Sequence, residues 1–418
     1  MNAFNKIAGY ETIKTELLQI CDILRNQQRY KNLGARLPKG VLISGASGTG
    51  KTLMAECFLE ECGVNVFSID EADCSYKSPA GLSEAFAEAR EYAPAVVFIE
   101  NLDNIADNAF YRVLQAEIDR SSNKEILVIA TTANTDDLPD TLLRAGRFDR
   151  KIEICLPTEN DLHKIIKYYI REKKVANRIN YDDLAKMFAF CSCATIKTII
   201  NEAAINAGFS ERESIHMKDF VDAYLRNEYI SPDAYTTVSD DDLRKVALHE
   251  AGHLIISEVL CPGSIGIVSV RTNGRDDLNG FTSRCKELPI ETYDVLISLG
   301  GKAAVELYYA ESCASGCYSD IRKVFRNIRR GISKIGTCGL GMIDVDMYGI
   351  GMSENMNARS EAVVHAEMEK YMFKARDILI KNREFLEKAT ELLLKKRTLL
   401  YSDIKKLKES VTITNVTV

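Results

Sequence analysis

The sequence predicts a parallel α/β domain followed by two mostly α-helical units. Three observations predict it. Short apolar runs alternate with helix-like segments up to about residue 157; strand signals then fade; and a later helical pattern carries two of only five histidines, four residues apart. A chain of 418 residues is too long for one core. Boundaries are placed at 1–157, 158–232 and 233–418.

Each element has a local reason. Gly40–Ser44 is an apolar run ending in a glycine-rich turn, and Lys51–Glu61 follows as a helix. Val64–Ile69, Ala95–Ile99 and Ile126–Ala130 read as further strands. The last two are fully apolar, as buried parallel strands are. Leu82–Tyr92 and Ala109–Arg120 read as the helices between them, and this alternation predicts a parallel sheet with helices on both faces. Asp161–Lys174, Tyr181–Phe190, Ala194–Ala207 and Met217–Leu225 read as helices, and Ser231-Pro232-Asp233 as a linker. In the third unit Ser239 and the acids at 240–242 mark a helix start, where negative charge suits the dipole. Leu243–Leu260 is then a helix apolar on all sides, and therefore buried. Ile265–Val270 reads as a strand, Asn273-Gly274 and Asn279-Gly280 as turns, and Tyr293–Tyr309 and Asp320–Lys334 as helices. Glu361–Lys408 reads as a long charged helical pair, and the tail 411–418 as disordered.

Composition narrows the function classes. A net charge of −6 gives no reason to expect a nucleic-acid partner. The twelve cysteines include no CxxC pair, which fits reduced thiols in a cytoplasmic protein. No run of eighteen apolar residues exists to span a membrane, and residues 1–15 lack the apolar core of a signal peptide.

Two motifs carry chemistry. Gly45-Ala46-Ser47-Gly48-Thr49-Gly50-Lys51-Thr52 is a complete phosphate-binding loop between a strand and a helix. Its backbone N–H groups wrap the phosphates of ATP, its lysine neutralises the β and γ charges, and its threonine hydroxyl holds Mg2+. Hydrolysis also needs an acid for the magnesium and a base for the water, usually at the end of a buried strand. That position holds Glu100-Asn101, and an amide cannot take a proton as a carboxylate can. The second motif is His249-Glu250-Ala251-Gly252-His253. Helix positions i and i+4 share a face, so both imidazoles can hold one Zn2+ while Glu250 takes a proton from a nearby water. A catalytic zinc wants a third protein ligand; Val259 excludes the extended three-histidine pattern, leaving Glu306, Cys317 and Asp320 as candidates.

On these motifs residues 2 to about 230 resemble an AAA+ ATPase, and the whole chain resembles the cytosolic part of the FtsH family of ATP-dependent zinc proteases. The resemblance implies an α/β AAA+ P-loop domain with a helical lid, followed by a mostly α-helical zinc peptidase domain. Ala314–Ile321 is similar to the family stretch whose aspartate completes the zinc site, which selects Asp320, and Leu299–Leu307 is similar to another peptidase stretch. Leu142–Arg150 resembles the arginine-finger motif, so Arg144 and Arg147 are implied to reach the ATP of a neighbour in a homo-hexamer. Ile7-Ala8-Gly9 resembles the segment against adenine, and Tyr76 stands in the expected pore loop at 70–79. The chain also departs from the family: Glu100-Asn101 replaces Asp-Glu, Ala133 replaces the sensor asparagine with Asn134 one place late, and Ser192-Cys193-Ala194 replaces Ser-Gly-Ala.

The expectation is a zinc endopeptidase that binds ATP but hydrolyses it slowly, its protein or peptide substrates held as an added strand along the edge of Ile265–Val270. An ATP-gated peptidase without unfolding power, and an ATP-binding scaffold, are the alternatives. The resembled family is anchored by N-terminal membrane helices, whereas this sequence starts at the ATPase domain; a soluble member and a shortened one both fit.

Overall fold

The computed structural model describes residues 2–35, 38–69, 78–105, 107–121, 125–229, 239–271, 280–309, 316–332 and 354–416. Tyr76, Cys313, the expected linker at 231–233 and the Asn273-Gly274 turn lie outside them. The chain forms two compact units: residues 1–172 with 190–198, and residues 173–189 with 199–418. The segment 158–232 is divided between the two.

The first unit holds a five-stranded parallel sheet. Its strands are β1 (Gly40–Ser44), β2 (Asn65–Ile69), β3 (Ala95–Ile99), β4 (Ile126–Thr132) and β5 (Phe148–Glu153), in the order β2-β3-β4-β1-β5. Helices α1 (Glu11–Arg25), α2 (Gln27–Asn32), α3 (Lys51–Cys62), α4 (Pro79–Glu91), α5 (Asn108–Arg120) and α6 (Glu159–Ile170) accompany it. Leu42, Val97, Ile99, Val128 and Ala130 form one apolar cluster with Phe86 of α4 and Phe110 and Leu114 of α5. Val41, Ile43, Val96, Phe98, Leu127 and Ile129 are equally buried but lie outside that cluster. Alternation along a strand sends them to the opposite face, so both faces are covered, as the apolar runs predict. Strand β5 and helix α1 were not expected. The sequence of β5, Phe-Asp-Arg-Lys-Ile-Glu, buries only Phe148 and Ile152, which is how a polar edge strand reads.

The second unit begins with α7 (Tyr181–Met187), most of α8 (Cys193–Phe209) and α9 (Met217–Tyr229). The helices expected at 161–174 and 181–190 stop at Ile170 and Met187, and Phe190 adopts φ 65° just after the second. Next come α10 (Asp240–Leu260), β6 (Ile265–Ser269), β7 (Phe281–Arg284), α11 (Glu291–Glu306), α12 (Gly316–Arg330), α13 (Glu354–Lys381), α14 (Arg383–Lys396), β8 (Thr398–Leu400) and α15 (Tyr401–Glu409). The expected 361–408 pair is therefore three helices, broken near Asn382 and at Arg397, whose φ is 66°. The tail is not disordered through 416: Val411, Ile413 and Val416 pack on the core, and Thr414 N–H donates to Asn382 Oδ1 at 2.8 Å.

Helix α10 runs through the centre of this unit. Ser239 caps it by accepting from Asp242 N–H at 3.1 Å, and residues 247–259 are buried. Its partner α11 crosses closely at a glycine pair: a Cβ on Gly252 would stand 2.2 Å from the Gly300 carbonyl oxygen. The three-stranded sheet is antiparallel, in the order β7-β6-β8. Strand β6 is thus paired on both sides, which corrects the expectation that Ile265–Val270 offers an edge to substrate; the edge strands are β7 and β8. Helices α7 and α9 join the same unit through side chains. Asp183 accepts from Ser402 N–H and Oγ–H, both at 2.7 Å, and Asp222 pairs with Arg271 at 2.5 Å.

Candidate metal centre and nucleotide pocket

Helix α10 places His249 and His253 one turn apart, and α12 brings in Asp320. The two Nε2 atoms are 3.0 Å apart, and each lies 3.1 Å from Asp320 Oδ2. Four tetrahedral ligands bound at about 2.0–2.1 Å would be spaced by about 3.3 Å, so the three atoms sit close to one face of a zinc site. The second partners fit as well. His253 Nδ1–H donates to the Ile297 carbonyl at 2.6 Å, which leaves its Nε2 lone pair facing the cluster. Buried acceptor atoms converging in this way call for a cation. Burial disfavours charge on His253, yet the Asp320 carboxylate overrides it and pushes the pKa up to about 9, so a proton competes with the metal for the Nε2 lone pair. Burial would raise Asp320, but the two imidazoles hold it well below the usual carboxylate range. His249, His253 and Asp320 are the cluster with metal-binding geometry among the described residues.

The other third-ligand candidates fall away. Glu306 is tied to Lys302 and Arg376. Cys317 Sγ lies 3.9 Å from His249 Nδ1, behind the ring rather than beside Nε2. Asp320 lies inside α12, which starts at Gly316, four residues before the expected helix. Glycine 301 makes room for the first ligand: a Cβ there would stand 2.4 Å from His249 Cε1.

Glu250 lies beside this cluster and is 5% exposed. Thr282 Oγ1–H donates to its Oε2 at 2.7 Å. Burial raises the pKa of its carboxyl, partly offset by the two histidines and Thr282. Thr282 and the Ile297 carbonyl were not foreseen. The Gly280 turn was legible, but nothing in the sequence signalled that the strand after it meets Glu250.

The phosphate-binding loop opens onto a cavity of about 440 Å³, lined on one side by Ser47 to Met54 and Asn101. Ile7, Ala8, Tyr10, Tyr168, Tyr169 and Cys193 line another part of it. Ile7 and Ala8 stand where expected, whereas the tyrosines were missed; they lie far from the loop along the sequence, so no local pattern signalled them. Gly9 does not line the cavity but holds φ 77° beside Asp161, which accepts from Tyr10 N–H at 2.9 Å. Lys51 donates to the Ala46 carbonyl at 3.1 Å, and its pKa is lowered by burial against the pull of Asp103. Gly48 accepts from Ala194 N–H at 3.0 Å, which joins the loop to the start of α8.

Thr52 Oγ1–H donates to Glu100 Oε1 at 2.8 Å, so the longer acid still reaches the magnesium threonine. Asn101 sits at φ 49°, ψ 58°, a region asparagine tolerates. Among the described residues that line the cavity there is no Asp or Glu. Asn134 Oδ1 accepts from Asp136 N–H at 3.0 Å and so closes a local turn. Arg144 is exposed. Arg147 is held by Asp119 at 3.1 Å and by Gln115 at 3.1 Å, on α5 of its own unit.

Residues 41–156 match the ATPase family associated with various cellular activities (AAA), and residues 236–407 match Peptidase family M41. Several relatives share the name ATP-dependent zinc metalloprotease FtsH. That of Leptotrichia buccalis is 29% identical over 97% of this chain and 56% of its own length. That of Streptobacillus moniliformis is 30% identical over 99% and 65%. FtsH 3 of Symbiobacterium thermophilum is 31% identical over 98% and 71%. The chain thus spans little more than half to two thirds of the first two. No described helix is long and apolar enough to cross a membrane. An ATPase match followed by a peptidase match, and 31% identity to FtsH 3 across nearly the whole sequence, make this chain a member of the FtsH family of ATP-dependent zinc metalloproteases.

Proposed function

We propose that this chain is a zinc endopeptidase acting on proteins and peptides, with an ATP module that binds nucleotide and hydrolyses it slowly. The observation that carries the first half is the convergence of His249, His253 and Asp320 within 3.1 Å of one another beside a buried Glu250. A zinc ion held there supplies a Lewis acid for the peptide carbonyl and brings the pKa of a bound water toward about 7. The protein's own part is proton handling. Glu250, with its pKa raised by burial, takes the proton of the attacking water and passes it to the leaving amine. Strand β7 is an edge, so an extended substrate can pair with its backbone without regard to sequence.

The second half rests on the nucleotide cavity. The full loop and the Thr52–Glu100 contact support binding of ATP with Mg2+. Asn101 stands where a water-activating acid is needed, and among the described residues lining the cavity no carboxylate replaces it. The residues expected as arginine fingers support a homo-hexamer unequally: Arg144 is exposed, while Arg147 is committed to Asp119 and Gln115. The nine described cysteines stand outside disulfides, which supports the cytoplasm as its compartment. The domain division 1–157, 158–232 and 233–418 is kept as a functional one, with the middle segment as the ATPase lid.

Asn101 also favours a second reading, a peptidase gated by ATP binding without unfolding power. One experiment tests both. Cleavage of a short peptide and of casein is followed with and without a zinc chelator, and with ATP, a non-hydrolysable analogue or no nucleotide. Chelation stops both cleavages on the proposed function. Equal stimulation by ATP and the analogue, for the short peptide only, selects gating. Cleavage that survives chelation overturns the zinc assignment.

A further inference from the structure

Strand β7 does more than close the sheet beside Glu250. The residue before it, Gly280, has φ 153°, and a Cβ there would stand 2.8 Å from Glu250 Oε1 and 3.0 Å from Val246 Cγ1. Two residues later Thr282 donates to Glu250 Oε2 at 2.7 Å. One short segment therefore bounds the carboxylate on one side and tethers it on the other. Burial alone does not orient a carboxylate whose side chain has three rotatable bonds, whereas a directed hydrogen bond does.

The segment is itself a weak element. β7 has four residues and, among the described strands, pairs with β6 alone, with an irregular register between Ile265 and Ile267. Phe281 points the opposite way from Thr282, as neighbours on a strand do. Its ring stacks on Tyr229, the last residue of α9, at 3.7 Å between centroids and 11° between planes. Tyr229 continues to Tyr224 at 5.9 Å, and Tyr224 to Phe188 at 6.1 Å, so the end of α9 is held in an aromatic row.

We infer that Thr282 is a positioning residue for Glu250, and that Tyr229, by stacking on Phe281, holds the strand that carries it. Neither residue touches the reacting atoms; both act through the base. The inference rests on the peptidase reading above. It makes the orientation of the base depend on α9, a helix outside the segment matched to the peptidase family.

The test uses the full chain loaded with zinc and a fluorescence-quenched peptide. Thr282→Val is expected to lower kcat by about 10- to 100-fold with KM unchanged, the scale of a misplaced catalytic group. Thr282→Ser keeps the donor and is expected to stay within about threefold of wild type, since directed donation is what matters. Tyr229→Leu lies away from the site and is expected to lower kcat by about 2- to 30-fold, as coupled residues do. Tyr229→Phe keeps the ring and restores it. Zinc affinity by chelator competition is expected to stay at the wild-type value in all four, and the melting temperature of the zinc-free protein to fall by no more than about 4 °C.

Wild-type kcat in Thr282→Val, equal loss in the valine and serine variants, or zinc affinity falling in step with kcat overturns the inference. If the valine variant does not fold, the serine variant and the Tyr229 pair decide. A wild-type chain that leaves the peptide intact, or a Glu250→Gln variant as fast as wild type, overturns the peptidase reading and this inference with it. Active wild type with unaffected Thr282→Val overturns this inference alone.

Discussion

The peptidase centre is assembled from three buried side chains of α10, which runs through the middle of its unit, and the half-buried Asp320. The nucleotide centre is assembled largely from the backbone of a loop facing an open cavity. His249, Glu250 and His253 are 7%, 5% and 8% exposed, and each has a partner fixing its direction: Asp320, Thr282 and the Ile297 carbonyl. At the nucleotide loop the binding parts are present, from Gly45 to Thr52, but the position where an acid is expected to activate water holds the amide of Asn101. The difference separates holding a ligand from transforming it. Backbone N–H groups and one lysine suffice to hold phosphate, whereas chemistry needs a group of the right acidity at one position.

The largest expected effect breaks the peptidase side at that position. Glu250→Gln keeps the shape of the side chain and removes its basicity. Peptide cleavage is expected to fall by about 10²- to 10⁴-fold, the usual share of a general base. Bound zinc, measured by elemental analysis, is expected to stay at one per chain, because His249, His253 and Asp320 are untouched. Cleavage near the wild-type rate would mean that another group moves the proton.

A smaller effect is expected one layer out. Gly301→Ala adds a single methyl within 2.4–2.6 Å of three atoms of the His249 ring. Alanine suits the backbone of α11, so the strain falls on the ring rather than on the helix. His249 cannot yield without leaving Asp320 and His253, each about 3 Å from its Nε2. Zinc affinity is expected to drop by about 10- to 100-fold, the range seen when the surroundings of a metal ligand are disturbed. Chelator competition reads this directly, and unchanged affinity would show that α11 can shift to make room.

How far each centre was legible follows the same division. The histidine pair and the phosphate loop are local patterns, readable because helix geometry and glycine-rich turns act over four to eight residues. Asp320 lies 67 residues beyond His253. The residues alone left it level with Glu306 and Cys317, and only the family resemblance chose it. The structure explains the choice: Glu306 is spent on Lys302 and Arg376, and Cys317 sits behind the imidazole. Thr282 was not legible, because a strand's sequence says which residues share a face but not what packs against it. The buried strands β3 and β4 announced themselves by hydrophobicity, while the edge strand β5, with Asp149, Arg150 and Lys151 exposed, did not. The β6 edge was misread for a related reason: its partner β8 lies about 130 residues further along the chain.

The smallest expected effect sharpens the nucleotide side. Wild-type phosphate release is expected well below about one per second, an ordinary enzyme rate. Asn101→Glu returns a carboxylate to the position where a water-activating acid is expected, and is expected to raise the rate about tenfold. The gain is bounded by the backbone: at φ 49° the left-handed conformation costs a glutamate roughly 1–2 kcal/mol that asparagine partly avoids. Binding is measured separately. Thermal stabilisation by ATP is expected in wild type and in Asn101→Glu, at about 2.7 kcal/mol when ATP is a hundredfold above its Kd, and to vanish in Lys51→Ala. A fast wild-type ATPase that also needs Lys51 would erase the contrast, since water would then be activated without an acid lining the cavity. A slow wild type whose Asn101→Glu variant binds ATP but gains nothing would locate the deficit elsewhere. Asn134, whose side chain closes a turn with Asp136, would be the next residue to change.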